Sequence, residues 1–181
     1  MNREEGLNLV NSKVKTKNLV KHMLAVEAIM RSLAEHFGEE VDVWGLTGLL
    51  HDLDYDQTVE DPERHSLLTA EWLKPYNLSE KIIHAIKAHP KKVVAESKLD
   101  WALFVTDPLS GLIIASALMH PTKKLGNLTV DFVLKRFKEK RFAAGANRED
   151  IAKCQELGLS LEKLVELALE GMRTIDQELG L

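Results

Sequence analysis

Apolar and polar positions alternate with a helical period along most of the chain. Between Thr16 and Phe37 the apolar positions Leu19, Met23, Val26, Met30 and Leu33 recur at steps of three and four, with Ile29 beside them. That spacing predicts an amphipathic helix, which Gly38 ends. A second helix is predicted over Val43 to about Asp52. Asp61-Pro62 is a favourable start, Asp as N-cap and Pro at the first helical position, for a helix reaching about Leu73. Ser79 can cap the next, which carries Ile82, Ile83 and Ile86 and ends before Pro90. Residues 97–119 are apolar and helical in period, with an interruption expected at Pro108. Thr129 to about Lys140 and Asn147 to about Leu157 predict two short helices, and Ser160 caps a last one reaching about Leu179. This last segment places Leu161, Val165, Ala168, Met172, Ile175 and Leu179 on one stripe, the pattern of a core face or of a dimer seam.

Residues 1–14 read as a loosely ordered lead-in, and no strand pattern, repeat or low-complexity tract is visible. The expectation is one all-α domain over residues 1–181, with about eight helices and residues 160–180 packed on the core. Only 6% of residues are aromatic, while Leu, Ala, Glu and Lys are plentiful, which favours helix over sheet. The net charge of -4 argues against a partner such as a nucleic acid duplex, whose binders are usually basic. Cys154 is the single cysteine, so any metal site must be built from His, Asp and Glu. Residues 1–18 lack the apolar core of a signal peptide, and no stretch is read as approaching the ~20 apolar residues of a membrane span. A cytoplasmic monomer or homodimer with no membrane partner is therefore expected.

His51-Asp52 carries the most chemical information. The pair follows the apolar run Trp44–Leu50 and opens the acidic stretch Leu53-Asp54-Tyr55-Asp56. An imidazole and a carboxylate at the end of a buried segment cost free energy unless something pairs with them, and a divalent cation is one such partner. The alternative is a helix end running into an acidic loop. His22 lies among Leu19, Met23 and Val26, where a hydrogen-bonded core histidine is the plain reading. Asp107 precedes Pro108, where an N-cap is the plain reading. In chain order, however, His22, His51-Asp52 and Asp107 lie on three predicted helices, each within or bordering an apolar stripe. Four such groups are satisfied together if they converge on a cation. Two imidazoles and two carboxylates suit iron, manganese, zinc, nickel or magnesium.

This ordered set resembles the signature of the HD-domain superfamily of metal-dependent phosphohydrolases. The resemblance implies an HD-type helical bundle around a central metal cleft, with His22, His51, Asp52 and Asp107 as ligands of a first divalent ion. Some branches add two histidines for a second ion, and His65 and His89 stand in the corresponding stretch. His84 is disfavoured as a partner of His89, being about 140° away around one helix. The segments Leu49–Tyr55, Thr106–Ile113 and Phe142–Glu149 are similar to a compact group of uncharacterised predicted hydrolases within the superfamily. The chain departs from the branch acting on cyclic dinucleotides: Asp54 and Tyr55 stand where Gly-Lys is usual, Pro90 follows His89, and Gly-Tyr-Pro is absent. It also lacks the Glu that nucleotidase-like members place where Tyr55 stands.

The implied activity is hydrolysis of a small phosphorylated metabolite, a nucleotide, by metal-activated water, with one or two ions per chain. Asp52 would bridge two ions, and Asp54 or Asp56 would orient the water or protonate the leaving oxygen. Arg64, Lys87 and Lys91, near His65 and His89, are the candidate phosphate-binding cations, with Lys135–Arg141 as a second basic run. The rival readings are a non-catalytic metal- or nucleotide-binding regulatory module, a di-iron oxygenase that would need both His65 and His89, and a helical interaction domain. No His-Glu-x-x-His, Gly-x-Ser-x-Gly or P-loop is present.

Overall fold

In a computed structural model, which describes all 181 residues, the periodic segments form helices and no strand occurs. In chain order these are α1 (Arg3–Lys13), α2 (Lys17–Phe37), α3 (Val41–Leu50), α4 (Tyr55–Thr58), α5 (Leu67–Leu73), α6 (Glu80–Ala88), α7 (Lys98–Met119), α8 (Val130–Lys138), α9 (Arg148–Ala152), α10 (Leu161–Arg173) and α11 (Asp176–Leu179). Of these, α4, α9 and α11 are single turns of four or five residues. Seven of the eight predicted helices appear as longer elements, the one expected over Asn147 to about Leu157 shrinks to α9 followed by a 3₁₀ segment, and α1 was not predicted.

The most apolar segment becomes the central helix. In α7 the buried residues, from Leu99 to Ala117, lie on every side, as expected of a helix surrounded by others. It packs against α2, α6, α8 and α9. The helix runs through Pro108 without a break, correcting the expected interruption. Pro inside a helix costs about 3 kcal/mol. Leu103, Val105, Leu109, Leu112 and Ile113 are fully buried around it, and each such side chain contributes roughly 1.5–3 kcal/mol, so burial wins. The membrane reading also needs correction: α7 is long and apolar enough to cross a bilayer, with a mean hydropathy of 1.7. Its burial among the other helices accounts for that composition.

The apolar side chains form two clusters. The larger joins α2, α7, α8 and α10, and the smaller joins α1, α3, α5 and α6 around Met23, Leu49 and Leu50. Helix α2 contributes to both, and its closest approaches are made through glycine. A Cβ on Gly48 of α3 would lie 3.0 Å from the backbone of Glu27, and one on Gly171 of α10 would lie 2.4 Å from the carbonyl oxygen of Ala28. The stripe on the last segment is a core face: Val165, Ala168 and Met172 are buried and α10 packs on α2.

Residues 1–14 are not a loose lead-in. Asn2 and Glu5 form a capping box, Leu9 and Val10 are buried, and the Arg3 guanidinium holds the buried Glu27 carboxylate at 2.7 Å. The helix expected from Asp61-Pro62 begins later, at Leu67. Residues 62–66 form turns, and Ser66 adopts a left-handed conformation with φ of 67°. That conformation cannot continue a helix, which separates His65 from α5.

Candidate metal centre

The helix ends are the devices that build the site. His51 follows α3 and His89 follows α6, each as the C-cap residue. In both, ring Nδ1 faces the carbonyl oxygen three residues earlier: Gly48 at 2.8 Å for His51, Ile86 at 2.6 Å for His89. A carbonyl only accepts, so each Nδ1 carries the hydrogen, and in the neutral ring Nε2 is left as a lone pair. The same bond satisfies a carbonyl that the helix end would leave orphaned. The bond that caps each helix end also turns Nε2 inward, so capping leaves these histidines able to ligate.

The other two histidines are oriented by side chains. His22 on α2 directs Nδ1 to Ser110 Oγ at 2.9 Å, and Ser110 donates its own hydrogen to the carbonyl of Asp107 at 2.9 Å. His65 directs Nδ1 to Asp54 Oδ1 at 2.9 Å. All four Nε2 atoms then point inward. His22 Nε2 lies 3.2 Å from His51 Nε2, and His65 Nε2 lies 3.2 Å from His89 Nε2. Two facing imidazole nitrogens repel unless a proton or a metal cation lies between them, and this centre holds two such pairs.

Asp52 joins the pairs. Its Oδ2 lies 3.6 Å from His22 Nε2 and 3.5 Å from His51 Nε2, while its Oδ1 lies 3.4 Å from both His65 Nε2 and His89 Nε2. Asp107 Oδ1 completes the first group, 3.2 Å from His22 Nε2 and 3.8 Å from His51 Nε2. Tetrahedral ligands at the usual 2.0–2.2 Å from a zinc-sized ion are separated by roughly 3.4 Å. The residues present therefore fit a cation at the first group (His22, His51, Asp52, Asp107) and another at the second (Asp52, His65, His89).

The charges favour the same conclusion. Burial opposes a charged His51, but the Asp52 and Asp107 carboxylates outweigh it and raise the imidazole to about 9. Burial likewise opposes charge on Asp52, yet His51 and His89 bring it down to about 2. Asp107 is held well below the usual carboxylate range, against the desolvation of its partly buried carboxylate, by His22 and His51. Burial, with the charge of His51, pushes His89 down, which keeps it neutral and able to ligate. In the metal-free protein the raised His51 value contributes stability that is complete below about 6.5 and lost as pH rises through about 9. A cation must displace that proton, so metal affinity is expected to increase as pH rises toward 9. Calorimetric titration at about pH 7.5, in buffers of differing ionisation enthalpy, is expected to show close to one proton released per first ion. Zero release would show that His51 is not displaced.

Asp54 and Asp56 are placed otherwise than as an acid or base at the cleft. Asp54 is fully buried: Oδ1 takes the His65 hydrogen, Oδ2 accepts from the Thr69 amide at 2.9 Å, and its own amide donates to Thr69 Oγ1 at 3.1 Å. It orients a histidine. Asp56 turns to the surface and accepts from the amides of Lys15 and Thr16 and from the Thr16 hydroxyl, fastening the α1–α2 connection. Asp54→Asn is expected to weaken the second cation by about 10–100-fold while leaving the first nearly unchanged, measured by metal titration. Equal weakening at both would contradict the assignment.

The proposed phosphate cations are scattered. Lys91 is engaged by Asp150 at 2.9 Å, and Lys87 lines a cavity of about 240 Å³ with Leu73, Asn77 and Ile83, none of them a member of the centre. Arg64 is exposed beside His65. His84 pairs with the buried Asp100 at 3.0 Å, outside the centre as its helical position implied. A cavity of about 510 Å³ near Arg3, Glu27 and Glu170 contains none of the six residues either. Instead, a cavity of about 330 Å³ opens onto His22 and Asp107. Pro108 and Gly111 of α7 line it together with Ala143, Gly145 and Ala146. Asp107 is the most exposed of the six, its side chain 34% accessible. Sequence reasoning missed Ser110 and Thr69 as supports of the centre. Ser110 sits three residues after Asp107, one turn along the same helix, which was the available signal.

Comparison with known proteins agrees with this geometry. The HD domain matches residues 19–126, more than half of the chain. The chain belongs to the HD-domain family. Its HD domain is similar to ribonuclease Y of Lawsonia intracellularis, 32% identical over 97 residues that make up 53% of this chain and 19% of that protein. Ribonuclease Y of Oleidesulfovibrio alaskensis is 34% identical over 98 residues, 53% of this chain and 18% of that protein. Ribonuclease Y 1 of Pediococcus pentosaceus is 25% identical over 167 residues, 85% of this chain and 32% of that protein. The chain thus matches a fifth to a third of the length of these relatives. No solved structure matches it significantly. Membership of a metal-dependent phosphohydrolase family follows from the HD match and these relatives.

Proposed function

We propose that this HD domain hydrolyses a phosphate ester of a small metabolite, a nucleotide, using one or two divalent ions held by His22, His51, Asp52 and Asp107 and by Asp52, His65 and His89. The observation that carries this reading is Asp52, whose two oxygens are divided between two pairs of facing imidazole lone pairs. A bound divalent ion supplies Lewis acidity toward a phosphoryl oxygen and lowers the pKa of water.

The chain's own residues do the rest. The C-cap bonds of His51 and His89 and the Ser110 and Asp54 contacts fix the four rings before any ligand arrives, so little ordering remains to be done on binding. Asp107, the most exposed member, borders the cavity through which an ester reaches the centre. With Asp54 and Asp56 engaged elsewhere, solvent in the open cleft delivers the proton to the leaving oxygen. Four imidazoles favour iron, manganese, zinc or nickel over magnesium.

The test is elemental analysis of protein purified without added metal, followed by phosphate-release assays with Mn²⁺ or Fe²⁺. The substrate panel holds phosphomonoesters, mononucleotides, cyclic nucleotides and, because the relatives are named ribonucleases, single-stranded RNA. Metal-dependent turnover of a nucleotide supports the reading. Metal binding with no turnover of any substrate would favour the regulatory-module reading. Convergence of His65 and His89 also meets the requirement of the di-iron reading, which oxygen consumption by iron-loaded protein without phosphate release would favour.

A further inference from the structure

The chain carries a net charge of -4, but its charge is unevenly placed. Residues 120–148 hold eight of the 24 lysines and arginines and only two of the 28 carboxylates. Of those two, Glu139 is engaged by Arg136 at 2.8 Å. Lys123, Lys124, Lys135, Lys138, Lys140 and Arg141 are exposed, and none forms an ion pair. Like charges crowded into one segment repel, and an anionic partner relieves that repulsion.

The same end of the fold exposes aliphatic surface. Leu118 and Met119 close α7 with 52% and 62% of their surface accessible, and Lys123 and Lys124 follow in the connection after them. A hollow of about 310 Å³ is lined by Ile114, Leu118, Leu179 and Leu181, together with Asn18 and Lys21. The His120 ring packs on Phe132 at 5.1 Å, which brings the first turn of α8 against the end of α7. Lys135 lies one turn further along the Phe132 side of α8.

The chemistry of this surface discriminates among anionic partners. A single nucleic acid strand needs open aromatic faces on which its bases stack. Here the rings are half-buried and already carry guanidinium groups: Arg136 lies over Phe132 and Phe142, and Arg148 over Phe137. All the unpaired cations except Arg141 are lysines, point charges on flexible stems without the fork that fixes one oxyanion in one orientation. Such charges suit a diffuse anionic surface, and exposed aliphatic side chains beside them suit an acyl interior. A bilayer of anionic lipid presents both. We infer that the end of α7 and the basic segment 123–141 form a peripheral attachment surface for anionic lipid bilayers. Leu118 and Met119 enter the headgroup region, and the lysines meet the lipid phosphates. This differs from the sequence expectation of no membrane partner, yet it needs no span, because α7 stays buried among the other helices.

The test is flotation of the whole chain with vesicles of phosphatidylcholine alone and of phosphatidylcholine with about 30% phosphatidylglycerol. Binding is expected to be at least about 10-fold tighter to the anionic vesicles, and to be lost as salt rises to about 0.5 M. Two double variants, Lys123→Gln with Lys124→Gln and Leu118→Ser with Met119→Ser, change only exposed side chains. Each is expected to weaken binding to the anionic vesicles by about 10-fold, with Tm and metal content unchanged. No flotation with anionic vesicles overturns the inference, as does equal binding to both compositions. Unchanged binding in either double variant overturns it too. Retention of a single-stranded oligonucleotide or of polyglutamate by these lysines, without retention of vesicles, assigns the surface to a soluble polyanion and overturns it as well.

Discussion

Asp52→Asn is expected to lower metal-dependent hydrolysis by on the order of 10³-fold and to deplete both cation sites together. No other residue gives one oxygen to each group of imidazoles. The amide is nearly the same shape, so the fold is preserved while a charge is removed from a buried centre. The loss of several kcal/mol of stabilisation at a developing phosphate charge converts to roughly that factor in rate. His65→Ala is the matched control: it lies only in the second group and is expected to reduce two ions per chain to one. Elemental analysis of both variants beside the native protein, with circular dichroism to verify folding, separates these outcomes. Full activity with unchanged metal content in Asp52→Asn would remove the shared carboxylate from the centre.

The second large effect concerns stability. Gly171→Ala is expected to destabilise the protein by about 1–3 kcal/mol, even though alanine is intrinsically better in a helix by up to roughly 1 kcal/mol. The added Cβ would lie 2.4 Å from the Ala28 oxygen and 2.9 Å from its carbonyl carbon. The obstacle is the backbone of α2, not the flexible end of a side chain, so α2 and α10 must separate. Separation also strains the bond from Ser32 Oγ to the Leu167 carbonyl, now 2.9 Å. Thermal unfolding is expected to show a Tm lower by several degrees. An increase would mean that the helices yield more readily than their contact implies.

The two predictions draw on different kinds of information. Four candidate ligands were legible in sequence because a polar group within an apolar stripe is costly and rare, and His22, His51, Asp52 and Asp107 each interrupt or end such a stripe. His65 and His89 were legible only through the family pattern, since each also reads as a helix-end residue. Asp54 was legible as a carboxylate near the centre but not in its role. Which way its oxygens turn depends on Thr69 and His65, in chain segments more than ten residues away. Asp56 was misplaced for the same reason, its partners Lys15 and Thr16 lying 40 or more residues away.

Helix existence followed from local periodicity, and so the long helices were readable. Their ends were less so where tertiary burial overrode a local signal, as at Pro108, or where one residue took a left-handed conformation, as at Ser66. The first helix escaped notice because its face is short: only Gly6, Leu9 and Val10 are buried, and Arg3 reaches Glu27 from across the fold. The sequence by itself determined an all-helical chain and the ordered His, His-Asp and Asp positions of its centre, because periodicity and the cost of buried polar groups act residue by residue. Only the tertiary structure decided which ring nitrogens face inward, that Asp52 lies between both pairs of rings, and that Asp107 borders a cavity. Those are relations between segments far apart in the chain, set by how α2, α3, α6 and α7 pack, and no local pattern encodes them.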